Sequence, residues 1–190
     1  MAESETRNRL ILHKTVVLVG MMGAGKTAVG RTLAGQLGVP FRDSDDEIET
    51  AANMTIAEIF ARDGEVFFRR KESQVIARLL DGPPTVLSTG GGAFLAAENR
   101  AMISDRGCSV WLDADLPVLW SRVRHKTTRP LLHTADPKAT LAALHAARAP
   151  LYARADLRVS SVAGLSLDAM ARRVQIRLLE TRPDVLEAPA

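Results

Sequence analysis

The segment Gly20-Met21-Met22-Gly23-Ala24-Gly25-Lys26-Thr27 fits the spacing G-x-x-x-x-G-K-[ST]. Glycines so placed let successive backbone N–H groups turn to one side and form a nest for an anion. A helix starting immediately behind adds about half a unit of positive charge at the same spot. A lysine there reaches the β- and γ-phosphates of a nucleotide, and the threonine hydroxyl suits Mg2+. A chance glycine turn is the competing explanation. The context argues against it: a β-branched apolar run at 16–19 precedes the segment, and Val29, Leu33 and Leu37 follow at helical spacing.

Further candidates sit where predicted strands end. Ligands of open parallel sheets bind beyond the carboxyl ends of the strands. Asp43 and Asp45 alternate at the end of a short strand at 39–44, where carboxylates can hold Mg2+ through water or take a proton from an attacking hydroxyl. Asp46 and Glu47 read instead as acidic residues favouring the start of the next helix. Gly90-Gly91-Gly92 closes a strand at 86–89, and a run of three there points to close backbone approach to a ligand. Asp113 ends Val110-Trp111-Leu112 and reads equally as a Mg2+ ligand or a plain strand-end residue. Arg69-Arg70 lies in a helix otherwise rich in apolar residues, and Arg148 near the end of another. Arg122, Arg124 and Arg129 border a basic segment at 124–136 that reads as a flexible lid. Guanidinium groups grip carboxylates and phosphates in pairs of bonds, and a basic loop can close over transferring charge. His13, His125, His133 and His145 show no metal-binding spacing, and Trp111 and Trp120 read as packing residues.

These groups need a frame. Strands are expected at 16–19, 39–44, 86–89, 108–112 and 157–160. Helices are expected at 25–38, 46–52, 55–64, 65–80, 96–105, 116–124, 136–149 and 167–179. Thr55-Ile56-Ala57-Glu58 forms a capping box, and Asp136-Pro137 is an N-cap followed by proline. Alternating strands and helices predict an α/β protein with a parallel sheet covered on both faces. With 190 residues, 46% hydrophobic and 25% charged, the chain reads as one globular domain. A net charge of +3 does not indicate a nucleic-acid surface, and the lone Cys108 excludes an internal disulfide framework. Arg7, Arg9 and Lys14 precede an apolar stretch at 15–25. That stretch is glycine-dense and runs into Lys26-Thr27, so it is not read as a secretory signal. No apolar run approaches the roughly 20 residues of a membrane span.

Taken together, the motifs resemble the shikimate kinase family. The matching pieces are Gly-Met-Met-Gly-Ala-Gly-Lys-Thr at 20–27, Phe-Arg-Asp-Ser-Asp at 41–45, Phe-Arg-Arg at 68–70, Ser-Thr-Gly-Gly-Gly at 88–92, Arg-Pro-Leu-Leu at 129–132 and Arg-Ala-Pro-Leu-Tyr at 148–152. The resemblance spans roughly 14–180 and implies a three-layer P-loop NTPase fold with a five-stranded parallel sheet in order 2-3-1-4-5 and a mobile lid. It implies ATP- and Mg2+-dependent phosphorylation of shikimate at its 3-hydroxyl, a step towards chorismate and the aromatic amino acids. On that basis Gly23, Ala24, Gly25, Lys26, Thr27 and Ala28 hold ATP, with Arg122 near adenine and Arg129 on the transferring phosphate. Asp45 binds the shikimate hydroxyls and is the base, Arg69 and Arg148 clamp the carboxylate, and Gly90, Gly91 and Gly92 line the substrate site. Asp43 and Ser88 lie behind Mg2+ bound at Thr27, with Asp43 acting through water, and Asp113 loses its claim as a metal ligand. The implied organisation is a flexible extension at 1–13, a kinase domain at 14–181 and a tail at 182–190. The implied setting is a cytoplasmic monomer without nucleic-acid or membrane partners. The residues alone also allow another hydroxylated acceptor, such as gluconate or a nucleoside monophosphate, or a nucleotide-binding module without turnover.

Overall fold

The computed structural model describes residues 10–126 and 130–189. A short strand, Ile11–Leu12 (β1), leads into Thr15–Val19 (β2). Phe41–Asp43 (β3), Val86–Ser88 (β4), Gly107–Asp113 (β5) and Leu157–Ser160 (β6) follow, and Leu186–Glu187 (β7) closes the series. Strands β2 to β6 form one parallel sheet in the order β3-β4-β2-β5-β6. Counted within that sheet, the order is the expected 2-3-1-4-5. Every residue of β2 and β4 is buried, as a sheet covered on both faces requires. The helices are Lys26–Leu37 (α1), Ser44–Ala52 (α2), Ile56–Leu80 (α3), Ala97–Arg106 (α4), Leu116–Val123 (α5), Pro137–Tyr152 (α6) and Leu167–Thr181 (α7). α1 packs on α7, α3 on α4, and α5 on α6. The main core runs through Val16, Val17, Leu18, Leu33, Leu87, Ile103 and Leu112. A smaller cluster of Ile48, Ile59, Phe68 and Val75 fastens α2 to α3.

Several expectations need correction. At Gly64 the expected boundary is present as a non-helical kink within α3 rather than as a connecting loop. Helical structure continues on both sides of it, and the chain bends where Gly64 adopts φ 81°, ψ 173°. The expected capping box at Thr55 and Glu58 forms, with both reciprocal bonds in place. α6 runs past Pro150 to Tyr152 rather than stopping at 149. Proline removes one internal bond, but the last turn is held by the burial of the Tyr152 ring. The segment at 124–136 contains a 3-10 turn, Pro130–Leu132, with Leu132 buried. Positions 11–13 and 182–187 are not loose ends. β1 and β7 pair antiparallel, Val185 and Leu186 are fully buried, and Lys14 Nζ bonds the Asp184 carboxylate at 3.0 Å. The sequence signal there was weak because two-residue strands carry no periodicity.

Candidate active site

The phosphate loop turns between β2 and α1. Gly23 and Gly25 take φ values of 83° and 96°, which side chains disfavour, and the second opens α1. Lys26 Nζ donates to the Gly20 carbonyl at 2.8 Å and the Met21 carbonyl at 3.0 Å. Ala28 lies in the first turn of α1. Arg122, from α5, reaches back to the loop and donates to the Gly23 carbonyl at 3.1 Å, the Ala24 carbonyl at 3.2 Å and Ser161 Oγ at 3.2 Å. It thus braces the loop through two of its carbonyls.

Beside the loop stand three oxygen donors. Thr27 Oγ1 donates to Asp43 Oδ2 at 3.2 Å and lies 3.5 Å from Ser88 Oγ. Asp43 also caps α2, accepting from the Asp45 amide at 3.0 Å. A hydroxyl and a carboxylate beside a phosphate nest fit Mg2+, which uses few protein ligands and keeps waters and substrate phosphates around it. Asp113 is not part of this group. Its carboxylate pairs with Arg158, whose guanidinium also stacks 4.9 Å from the Trp111 ring.

The third group assembles around the glycine turn after β4. A Cβ on Gly90 would stand 3.0 Å from Asp45 Oδ1 and 3.4 Å from Glu72 Oε1. On Gly91 it would meet Arg148 Nη1 and the Tyr152 hydroxyl, each at 3.5 Å. On Gly92 it would collide with both terminal nitrogens of Arg69 at 2.5 Å. The turn is glycine because charged side chains from α2, α3 and α6 press against its backbone. Burial, then the charges of Asp43 and Glu72, push the Asp45 carboxyl up to about 6, against the pull of Lys26. Arg69 Nη1 donates to Glu72 Oε2 at 2.8 Å. Glu72 itself is 1% exposed, and its Oε1 has no hydrogen-bond partner. Burial raises its pKa, and the Arg69 ion pair holds the rise back.

The structure therefore brings Asp45, Arg69, Arg148 and the three glycines to one place, and Lys26, Thr27, Asp43, Ser88 and Arg122 to its flank. Arg129 lies outside the described residues. A surface hollow of about 650 Å³ lined by Glu65, Arg69, Arg70 and Glu98 opens on the outer side of Arg69. It excludes Asp45 and Arg148 and is a groove between helices. Sequence reasoning missed Glu72 and Tyr152. Glu72 falls in the polar run Lys71-Glu72-Ser73 and looks solvated, while Tyr152 was quoted without a role. Their spacing from Arg69 (three residues) and Arg148 (four) was the available signal, since such pairs share a helix face.

A sheet that ends its central strand in a phosphate loop, with a carboxylate set beside that loop for an acceptor hydroxyl, belongs to a P-loop small-molecule kinase. The sequence model described as shikimate kinase matches residues 22–178. A shikimate kinase of Ruegeria pomeroyi is 71% identical over 176 residues, covering 93% of this chain and 90% of that protein. One of Cereibacter sphaeroides is 69% identical, covering 93% and 87%. The solved shikimate kinase of Acinetobacter baumannii, in complex with shikimate, superposes with a TM-score of 0.83 at 38% identity, covering 89% of this chain and 94% of that one. The chain belongs to the shikimate kinase family. Its reaction is phosphoryl transfer from ATP to shikimate, in the shikimate route to the aromatic amino acids.

Proposed function

We propose that the chain carries out the ATP:shikimate 3-phosphotransferase reaction with the phosphate loop and the glycine turn as its two substrate sites. The observation behind this division is that Gly90, Gly91 and Gly92 each abut a different side chain: Asp45, Arg148 and Arg69 in turn. One carboxylate and two guanidiniums around a glycine backbone complement an acid that carries one carboxylate and three hydroxyls. Arg69 and Arg148 hold the shikimate carboxylate. Asp45 accepts hydrogen bonds from the ring hydroxyls and takes the proton of the 3-hydroxyl as its oxygen bonds the γ-phosphorus and the bond to the departing ADP breaks. A carboxyl near pKa 6 is mostly ionised at neutral pH, yet more basic than a free aspartate. The backbone from Gly23 to Ala28 receives the phosphates, and Lys26 turns from the Gly20 and Met21 carbonyls to the β- and γ-oxygens. Arg122 lies on the nucleotide side, and Arg129, in a lid at about 124–136, meets the transferring phosphoryl group. Thr27 would hold Mg2+ directly and Asp43 through water. Bound there, the ion neutralises charge between the β- and γ-phosphates. The working form is a cytoplasmic monomer with no nucleic-acid or membrane partner. No helix among the described residues is long and apolar enough to cross a membrane.

The test is ADP release from ATP and Mg2+ with shikimate, gluconate or AMP as acceptor, repeated with EDTA in place of the metal. Turnover is expected with shikimate alone and is expected to vanish with EDTA. ATP binding without turnover on any acceptor would return the chain to the binding-module alternative. Undiminished turnover in EDTA would remove Thr27 and Asp43 from the metal role.

A further inference from the structure

Tyr152 lies outside every step above, yet its hydroxyl sits inside the site. The ring is 1% exposed and stacks tilted against Trp111, with centroids 6.2 Å apart. The hydroxyl donates to the Gly91 carbonyl at 2.6 Å and lies 3.9 Å from the Met21 sulfur in the phosphate loop. Tyr152 and Arg148 are four apart in α6, so they leave the same helix face. Both border the point where a Gly91 Cβ would stand.

We propose that Tyr152 is a positioning residue, whose hydroxyl pins the Gly91 carbonyl and the Arg148 guanidinium at the spacing that receives the acceptor's carboxylate. Packing alone would be served by phenylalanine, because the ring needs no partner to fill its space. The hydroxyl is spent on a carbonyl of the substrate turn, in the middle residue of three that the site depends on. A short bond from a buried ring gives that turn a fixed reference to α6, the helix that also supplies Arg148. The cation in return acts on the hydroxyl. Burial raises the Tyr152 pKa, and the positive charge of Arg148 opposes the rise. Without the hydroxyl, Gly91 and Arg148 lose their common anchor, and the cost falls on acceptor binding rather than on ATP.

This inference rests on the reading of Arg148 as a carboxylate clamp, so the experiment tests both. Tyr152→Phe, Arg148→Ala, the double variant and Val174→Ala would be compared by steady-state kinetics in each substrate and by thermal unfolding. Val174 is buried on α7, a helix that supplies no side chain to the site, and controls for lost stability. Tyr152→Phe is expected to raise the shikimate KM about 5-fold, the worth of one hydrogen bond, with the ATP KM and kcat within about 2-fold. Val174→Ala is expected to lower the melting temperature and leave both KM values in place. In the Arg148→Ala background, losing the hydroxyl should add less than about 2-fold, because the two act as one unit. An unchanged shikimate KM in Tyr152→Phe, or a rise shared equally by ATP or by Val174→Ala, overturns the proposal. An unchanged shikimate KM in Arg148→Ala overturns the clamp itself, and the proposal with it.

Discussion

At Asp45 the site sets function against stability. Its carboxyl sits near pKa 6 because burial and the neighbouring carboxylates of Asp43, Glu72 and Asp46 resist ionisation. The folded value lies above the ordinary one of 3.8. The associated stability is therefore complete below about pH 4 and is lost as pH rises through about 6. At pH 7.5 the empty enzyme carries the full cost of that charge. Asp45→Asn is thus expected to raise stability at pH 7.5 by about 1–3 kcal/mol while reducing kcat by about 100-fold or more. Urea unfolding at pH 7.5 and 4.5 checks the first part, since the gain should shrink at the lower pH. In the unaltered enzyme, kcat/KM for shikimate should fall on acidification with a midpoint near 6. A flat profile down to pH 5 would remove Asp45 from the base role. At this scale the sequence showed what carries charge and what must be glycine: Asp45, Arg69, Arg148 and the run 90–92. It did not show Glu72. Nothing in Lys71-Glu72-Ser73 distinguishes a buried carboxylate from a solvated one until Arg69 and Gly90 are seen against it.

Among the elements, α3 bears most directly on the site, because its second half carries Arg69 and Glu72 while its first half is fastened to α2 by Ile59 in a cluster with Ile48. Gly64 joins the halves in a conformation that is essentially reserved for glycine, with open space around its Cα. An alanine there meets no neighbour, so its whole effect is backbone strain. Gly64→Ala should cost about 1–3 kcal/mol, lowering the melting temperature by several degrees. It should also raise the shikimate KM, because relieving the strain re-aims the helix that presents Arg69. An unchanged melting temperature would mean that the bend is not needed. The boundary itself was legible, because a glycine stands between two separately periodic stretches. What the sequence did not show is that the two stretches share one cluster with α2, Ile59 before the kink and Phe68 and Val75 beyond it packing with Ile48. Where elements were long and periodic, as in α1 and α7, their existence was legible and only the ends moved by a residue or two.

On the scale of the whole molecule, the two ends of the sheet have separate tasks. The phosphate loop, Asp43 and the glycine turn all lie at the carboxyl ends of β2, β3 and β4. The opposite end is closed by the β1–β7 pair, which enters β2 from behind. His13 N donates to the Val185 carbonyl at 2.8 Å, and Arg182 reaches the Cys108 sulfur near the start of β5 at 3.5 Å. The salt links of this clasp, Lys14 with Asp184 and His13 with Glu187, are exposed and contribute little. Its strength lies in Val185 and Leu186, which are fully buried. At about 1.5–3 kcal/mol for each such side chain, truncation after Thr181 should cost about 3–6 kcal/mol. The loss falls at the far end of the strands from the chemistry. The truncated chain should therefore unfold at markedly lower urea while keeping both KM values at a temperature where it remains folded. A truncated enzyme of unaltered stability would show that the clasp contributes nothing to the core. One that stays folded but loses shikimate binding would show that the two ends of the sheet are coupled through β2 and β5.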